Sequence, residues 1–201
     1  MTSHHQLALD LAREHGILRA AVAREHGVDS KTLTRLIRSG DLVRVGRGLY
    51  ELPGADVSEH HTLAEIASRV PHGVICLLSA LAFHDLTTQL PADVWLTLRR
   101  GAAPPTSLDV SVQLVRITGE SFDHGVETHE VDRVAVKITS PARTVADCFR
   151  FRRRVGLDVA MEALRAYVER RAGSIDELWE AAERARVSTV LRPYLDMAAS
   201  S

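Results

Sequence analysis

Leu7 and Leu11 sit one helical turn apart near the start of the chain, and Ile17 continues the same side. This spacing predicts an amphipathic helix over residues 3–15, ended by His15-Gly16. A second helix is expected over residues 19–25. His26-Gly27-Val28 breaks it, because glycine supplies the left-handed backbone that closes a helix. A third follows over residues 30–39, capped by Asp29 or Ser30, whose short side chains can accept from an otherwise unpaired amide. Its apolar stripe is Leu33, Leu36 and Ile37, and Gly40 stops it. Residues 42–45 and 49–52 then read as two short strands around Gly46-Arg47-Gly48, a loop suited to a hairpin.

Pro53-Gly54-Ala55-Asp56 punctuates the chain, and a domain boundary is expected there. Leu63, Ile66, Ala67 and Val70 mark a helix that starts near Ser58 or Glu59 and stops before Pro71. Residues 74–86, VICLLSALAFHDL, are nearly all apolar, which suits a buried helix. Strands are expected at 94–98 and 110–118, and at 126–131 and 134–138 as a hairpin about Asp132-Arg133. Ser140-Pro141 opens a helix with a hydroxyl cap and proline in the first turn. Val145, Ala146, Cys148 and Phe149 face its inner side, and Arg150-Phe151-Arg152-Arg153-Arg154 closes it. The final third is helical: residues 157–170, then a helix opened by a Ser174/Glu177 capping box, then residues 188–199, interrupted or bent at Pro193.

The expected fold class is therefore α+β. An N-terminal winged helix-turn-helix over residues 1–54 precedes a mixed α/β domain over 55–201 with a helical C-terminal third. In the third helix Lys31, Arg35 and Arg38 share a face away from the apolar stripe, flanked by Ser30, Thr32 and Thr34. Cations give affinity for any phosphate, while side chains on one helix face reach base edges in the major groove. Arg44 and Arg47 on the hairpin are placed to hold phosphate or minor groove. Between Lys31 and Arg47 five basic residues stand against one acid, Asp41. The plainer alternative is an amphipathic surface helix with solvated charges.

Charge sharpens this picture. The whole chain carries a net charge of −1, but residues 1–54 hold eight Lys or Arg against six Asp or Glu. Any nucleic-acid contact must then be a local patch rather than a coat. Arg150, Arg152, Arg153 and Arg154 are either the solvated end of a helix or a second patch for anions or a partner. Cys76 and Cys148 lie in apolar surroundings and read as small buried hydrophobes. The pairs His4-His5 and His60-His61 point apart on a helix, so no metal set is expected. A nuclease would need clustered acids and a lysine at a strand. Glu127 or Glu130 with Asp132 and Lys137 is the nearest set, yet Ala135 stands two before Lys137 and Asp93 does not complete it. No enzyme and no cofactor are expected. With no leader pattern and no apolar run able to span a bilayer, a cytoplasmic protein without membrane contact is expected.

Three stretches resemble the AbiEi family of abortive-infection antitoxins from type IV toxin–antitoxin systems. They are Val45-Gly46-Arg47-Gly48-Leu49-Tyr50 at the end of the helix-turn-helix, LSALAFHDLT at 78–87, and THEV at 128–131 through VKITSPARTVAD at 136–147. The resemblance spans most of residues 5–170. It implies an antitoxin that binds double-stranded DNA at inverted repeats in its own promoter, represses that operon, and counters a nucleotidyltransferase-like toxin. The DNA-reading helix would fall on residues 30–39 and the wing on 44–47. A different possibility is a winged-helix transcriptional regulator whose C-terminal domain senses a small ligand.

Overall fold

The computed structural model describes residues 3–198 apart from positions 57 and 107. The chain is mixed α/β and about half helical. It divides into two compact units. The first holds the described residues up to Pro71, with Pro104–Asp109 and His129–Val136; the second holds His72–Ala103, Val110–Thr128 and the described residues from Lys137 onward. The first unit thus runs past the Pro53-Gly54 junction read from the sequence.

In the first unit α1 (His4–His15), α2 (Ala20–Glu25), α3 (Ser30–Ser39) and α4 (His61–Arg69) accompany a three-stranded sheet. Its strands β1 (Leu18–Arg19), β2 (Val43–Gly46) and β3 (Leu49–Glu51) lie in the order β1-β3-β2, all antiparallel. Arg19 was expected to begin a helix, but it pairs with Leu49 in the sheet, and α2 starts one residue later. Ala8, Leu11, Ala12, Leu18, Ala23, Val28, Leu33, Leu36 and Leu42 make the core. Ile37 is 36% exposed and lies outside it, so the inner stripe of α3 is narrower than its sequence suggests.

A five-stranded sheet has the order β6-β5-β4-β8-β7, and the turn end of its β7–β8 hairpin, His129–Val136, is counted in the first unit. The strands are β4 (Val74–Ile75), β5 (Val94–Arg99), β6 (Val112–Ile117), β7 (Val126–Val131) and β8 (Val134–Thr139). Val74 and Ile75 belong to strand rather than to the expected helix: β4 runs antiparallel to β5 and parallel to β8. The helix, α5 (Leu77–Phe83), begins only after Cys76. A short apolar run serves a buried strand and a buried helix equally well, which is why periodicity could not separate them. The turn between β7 and β8 has Asp132 and Arg133 both at positive φ, the geometry of a tight two-residue hairpin loop.

Around the sheet stand α6 (Pro141–Arg150), α7 (Arg152–Val155), α8 (Leu157–Glu169), α9 (Ile175–Arg184) and α10 (Ser188–Ala198). Every residue of α6 from Ala142 to Phe149 is buried, and the helix packs against α5, α8 and α9. Ser140 caps it as expected, and the Ser174/Glu177 capping box opens α9. The last helix continues through Pro193; its expected end at position 199 lies outside the described residues. Cys76 and Cys148 are both buried, and burial pushes the Cys76 thiol up to about 12. Among the described residues no helix is long and apolar enough to cross a membrane.

Candidate nucleic-acid interface

The geometry of α3 follows from its ends. Asp29 accepts from the Thr32 amide at 2.8 Å, and Gly40 closes the helix in the left-handed conformation. Bonds from Thr32, then the charges of Lys31 and Arg35, hold the Asp29 carboxyl below its usual range. With Leu33 and Leu36 buried, the opposite face is fixed outward. Ser30, Lys31, Thr34, Arg35 and Arg38 are exposed and line one shallow depression. Thr34 donates its hydroxyl to the Ser30 carbonyl at 2.8 Å, so it meets any ligand chiefly through its methyl group and lone pairs. Thr32 is half-buried beneath the cap.

The β2–β3 hairpin is irregular in a useful way. A bulge between Arg44 and Gly46 shifts the register, and Gly48 takes positive φ. Arg47 is thereby presented at the tip, where it is exposed. Arg44 is exposed too, but its Nε donates to the Gly46 carbonyl at 3.1 Å, which ties it to the turn. Gly46 is approached closely by side chains. A Cβ there would come 2.1 Å from Arg69 Nη2 and 3.0 Å from Asp109 Oδ2.

Arg69 and Asp109 had no signal in the sequence, since neither belongs to a local pattern. The fold places Arg69 with Arg19, Arg47 and Gly48 around a depression of about 400 Å³. Asp109 accepts from Arg69 at 2.5 Å and from the Arg47 amide at 3.4 Å. Those bonds, Arg69's first, hold its carboxyl below the usual range.

The Arg150–Arg154 run is engaged piece by piece within the second unit. Arg150 lies over the Phe151 ring, and Arg152 donates to the Phe149 carbonyl at 2.8 Å. Arg154 lies 5.1 Å above the Trp95 ring and donates to the Leu114 carbonyl. Arg153 is exposed. The acids considered for a nuclease are likewise occupied in part, as Asp132 accepts from His61 and from the Ser58 amide.

The N-terminal stretch is similar to a family of transcriptional regulators. Residues 6–53 match the family model described as "Transcriptional regulator, AbiEi antitoxin", which bears out over that stretch the resemblance drawn from its residues. A crystal structure of the RV2827C protein from Mycobacterium tuberculosis has a similar fold, with a TM-score of 0.62 at 15% identity. The alignment covers 96% of this chain and 75% of that one. No curated protein matches the chain.

Proposed function

We propose that residues 1–54 are a winged helix-turn-helix and that the chain is a DNA-binding antitoxin which represses its own operon and counters a nucleotidyltransferase-like toxin. The observation that carries this reading is the outward face of α3. Lys31, Arg35 and Arg38 stand exposed on a capped helix whose other side is anchored by Leu33 and Leu36. Such a helix enters a major groove with cations at its edges and a guanidinium able to bond two acceptors of a guanine. Arg44 and Arg47 on the hairpin then neutralise flanking phosphates. The match of residues 6–53 to antitoxin regulators supports the assignment. In this reading residues 55–201 carry the antitoxin action without catalysis or cofactor.

Binding of the purified protein to its own promoter, against random DNA of equal length, tests the reading. Arg35→Ala should reduce discrimination between the two by a factor of about 10. Equal binding of operator by wild type and this variant would remove α3 as the reading helix. Rescue of growth when the neighbouring reading frame is expressed tests the antitoxin half.

A further inference from the structure

The depression beside the hairpin has the makings of an anion site. Arg19, at the junction of β1 and α2, Arg47, at the hairpin tip, and Arg69, at the end of α4, all line it. They come from three elements far apart in sequence, so no local charge pattern accounts for their meeting. Arg69 is well covered, its side chain only 13% exposed, whereas the Asp109 side chain is 59% exposed. The cation is therefore built into the fold, while the carboxylate reaches it from the solvent side. The Arg47 backbone amide points at the same carboxylate oxygen. A guanidinium with a main-chain amide is a donor set suited to a phosphate oxygen as much as to a carboxylate.

We infer that Arg19, Arg47 and Arg69 form a phosphodiester-binding site beside the hairpin, and that Asp109 sits in it as an internal competitor which DNA must displace. The inference rests on the DNA-binding reading and extends it to a contact that fixes affinity, not sequence. Backbone phosphate is the same at every step, so displacing Asp109 costs operator and random DNA alike, and removing it should strengthen both. Gly46 leaves room for the Arg69 guanidinium, since a Cβ there would come 2.1 Å from Arg69 Nη2. The Asp109 carboxylate cancels one cation near the DNA. Its cost should thus appear as a missing counterion in the salt dependence.

The test compares full-length wild type, Asp109→Asn, Arg69→Ala and the double variant, each titrated with operator and random duplex across a salt series. Thermal unfolding confirms that each is folded. Asp109→Asn should tighten both duplexes about 3- to 10-fold at low salt and steepen the salt dependence by about one counterion, with the operator-to-random ratio unchanged. Arg69→Ala should weaken both and flatten the dependence by about one. In the double variant the gain from Asp109→Asn should vanish, because the competitor acts through Arg69. A gain that persists without Arg69 would mean that Asp109 is only a repulsive surface charge, and the site is refuted. Weaker binding by Asp109→Asn would make Asp109 a clamp for the hairpin and overturn the inference equally. Arg35→Ala separates the two readings. If it loses operator preference while the Asp109 and Arg69 variants behave as wild type, DNA recognition stands and this site falls. If wild type does not prefer its promoter, both fall together.

Discussion

His61 Nδ1 lies 2.8 Å from the Asp132 carboxylate, which joins the start of α4 to the turn of the β7–β8 hairpin within the first unit. The other ring nitrogen faces Glu51 at 3.4 Å and Glu65 at 3.7 Å. Glu51 is a buried acid on β3, and its burial raises its carboxyl above the usual range, against the pull of His61. Asp132 goes the other way. Burial alone would raise it, but the bonds from His61 and from Ser58 outweigh that and hold it low.

Asp132→Asn isolates the charge in this pair. Asparagine accepts the left-handed backbone at position 132 readily, so the turn itself is not strained. Since the folded carboxyl titrates below the unfolded one, its stabilisation is complete above the ordinary aspartate range and is lost as pH falls through the folded value. The substitution should cost roughly 1 to 2 kcal/mol near neutrality. That cost should shrink as pH is lowered through the carboxylate range. Urea unfolding at a series of pH values measures it, and a pH-independent difference would remove the charge from the account.

Gly16 ends α1 with φ of +67°, and a Cβ there would fall 1.9 Å from the Asp132 carbonyl oxygen. Two penalties coincide, a backbone conformation that side chains disfavour and a collision with main chain that cannot swing aside. Gly16→Ala should therefore destabilise the protein by about 1–3 kcal/mol or more, and should loosen the β7–β8 turn. Amide exchange at residues 131–134 reports the second effect. Unchanged protection there would show that the chain yields elsewhere.

Leu36 and Ile37 are neighbours with different fates. Leu36 is 0% exposed and Ile37 is 36% exposed. Leu36→Ala should cost about 2–5 kcal/mol, whereas Ile37→Ala should cost about 1 kcal/mol or less. Denaturant midpoints decide this, and similar losses would return Ile37 to the core.

The helices and the hairpins were legible because each has local chemistry that names its ends. Asp29 and Gly40 bracket α3, Ser174 and Glu177 open α9, and Asp132-Arg133 turns β7 into β8. Val74 and Ile75 were not legible as strand, since their partners, Leu96, Thr97 and Ile138, lie far along the chain. The same limit hid the depression beside the hairpin: Arg69 and Asp109 are 40 residues apart, and neither sits in a repeating pattern. His61 was visible only as half of a His-His pair. Its acids come from β3, α4 and a hairpin turn, which only the fold assembles.

Arg143, in the first turn of α6, ties together the chain around it in the second unit. Its residue is 5% exposed, and it donates to the Phe122 carbonyl at 2.9 Å, to the His124 carbonyl, and to Asp147 at 3.3 Å. One guanidinium thus satisfies the chain before β7 and neutralises an acid one turn along α6. Burial pushes the Asp147 carboxyl up, and Arg143 opposes that shift. Arg143→Ala leaves a buried acid without its cation and two carbonyls without a donor, so it should cost about 3–5 kcal/mol. Asp147→Asn should cost less, because it leaves the bonds from Arg143 to Phe122 and His124 in place and asparagine can still accept from the guanidinium. Lysine at position 143 should not rescue, since an ammonium lacks the planar fork that reaches acceptors on two sides. Chemical denaturation of the three variants gives the order, and full stability of Arg143→Lys would reduce the residue to a simple counter-charge.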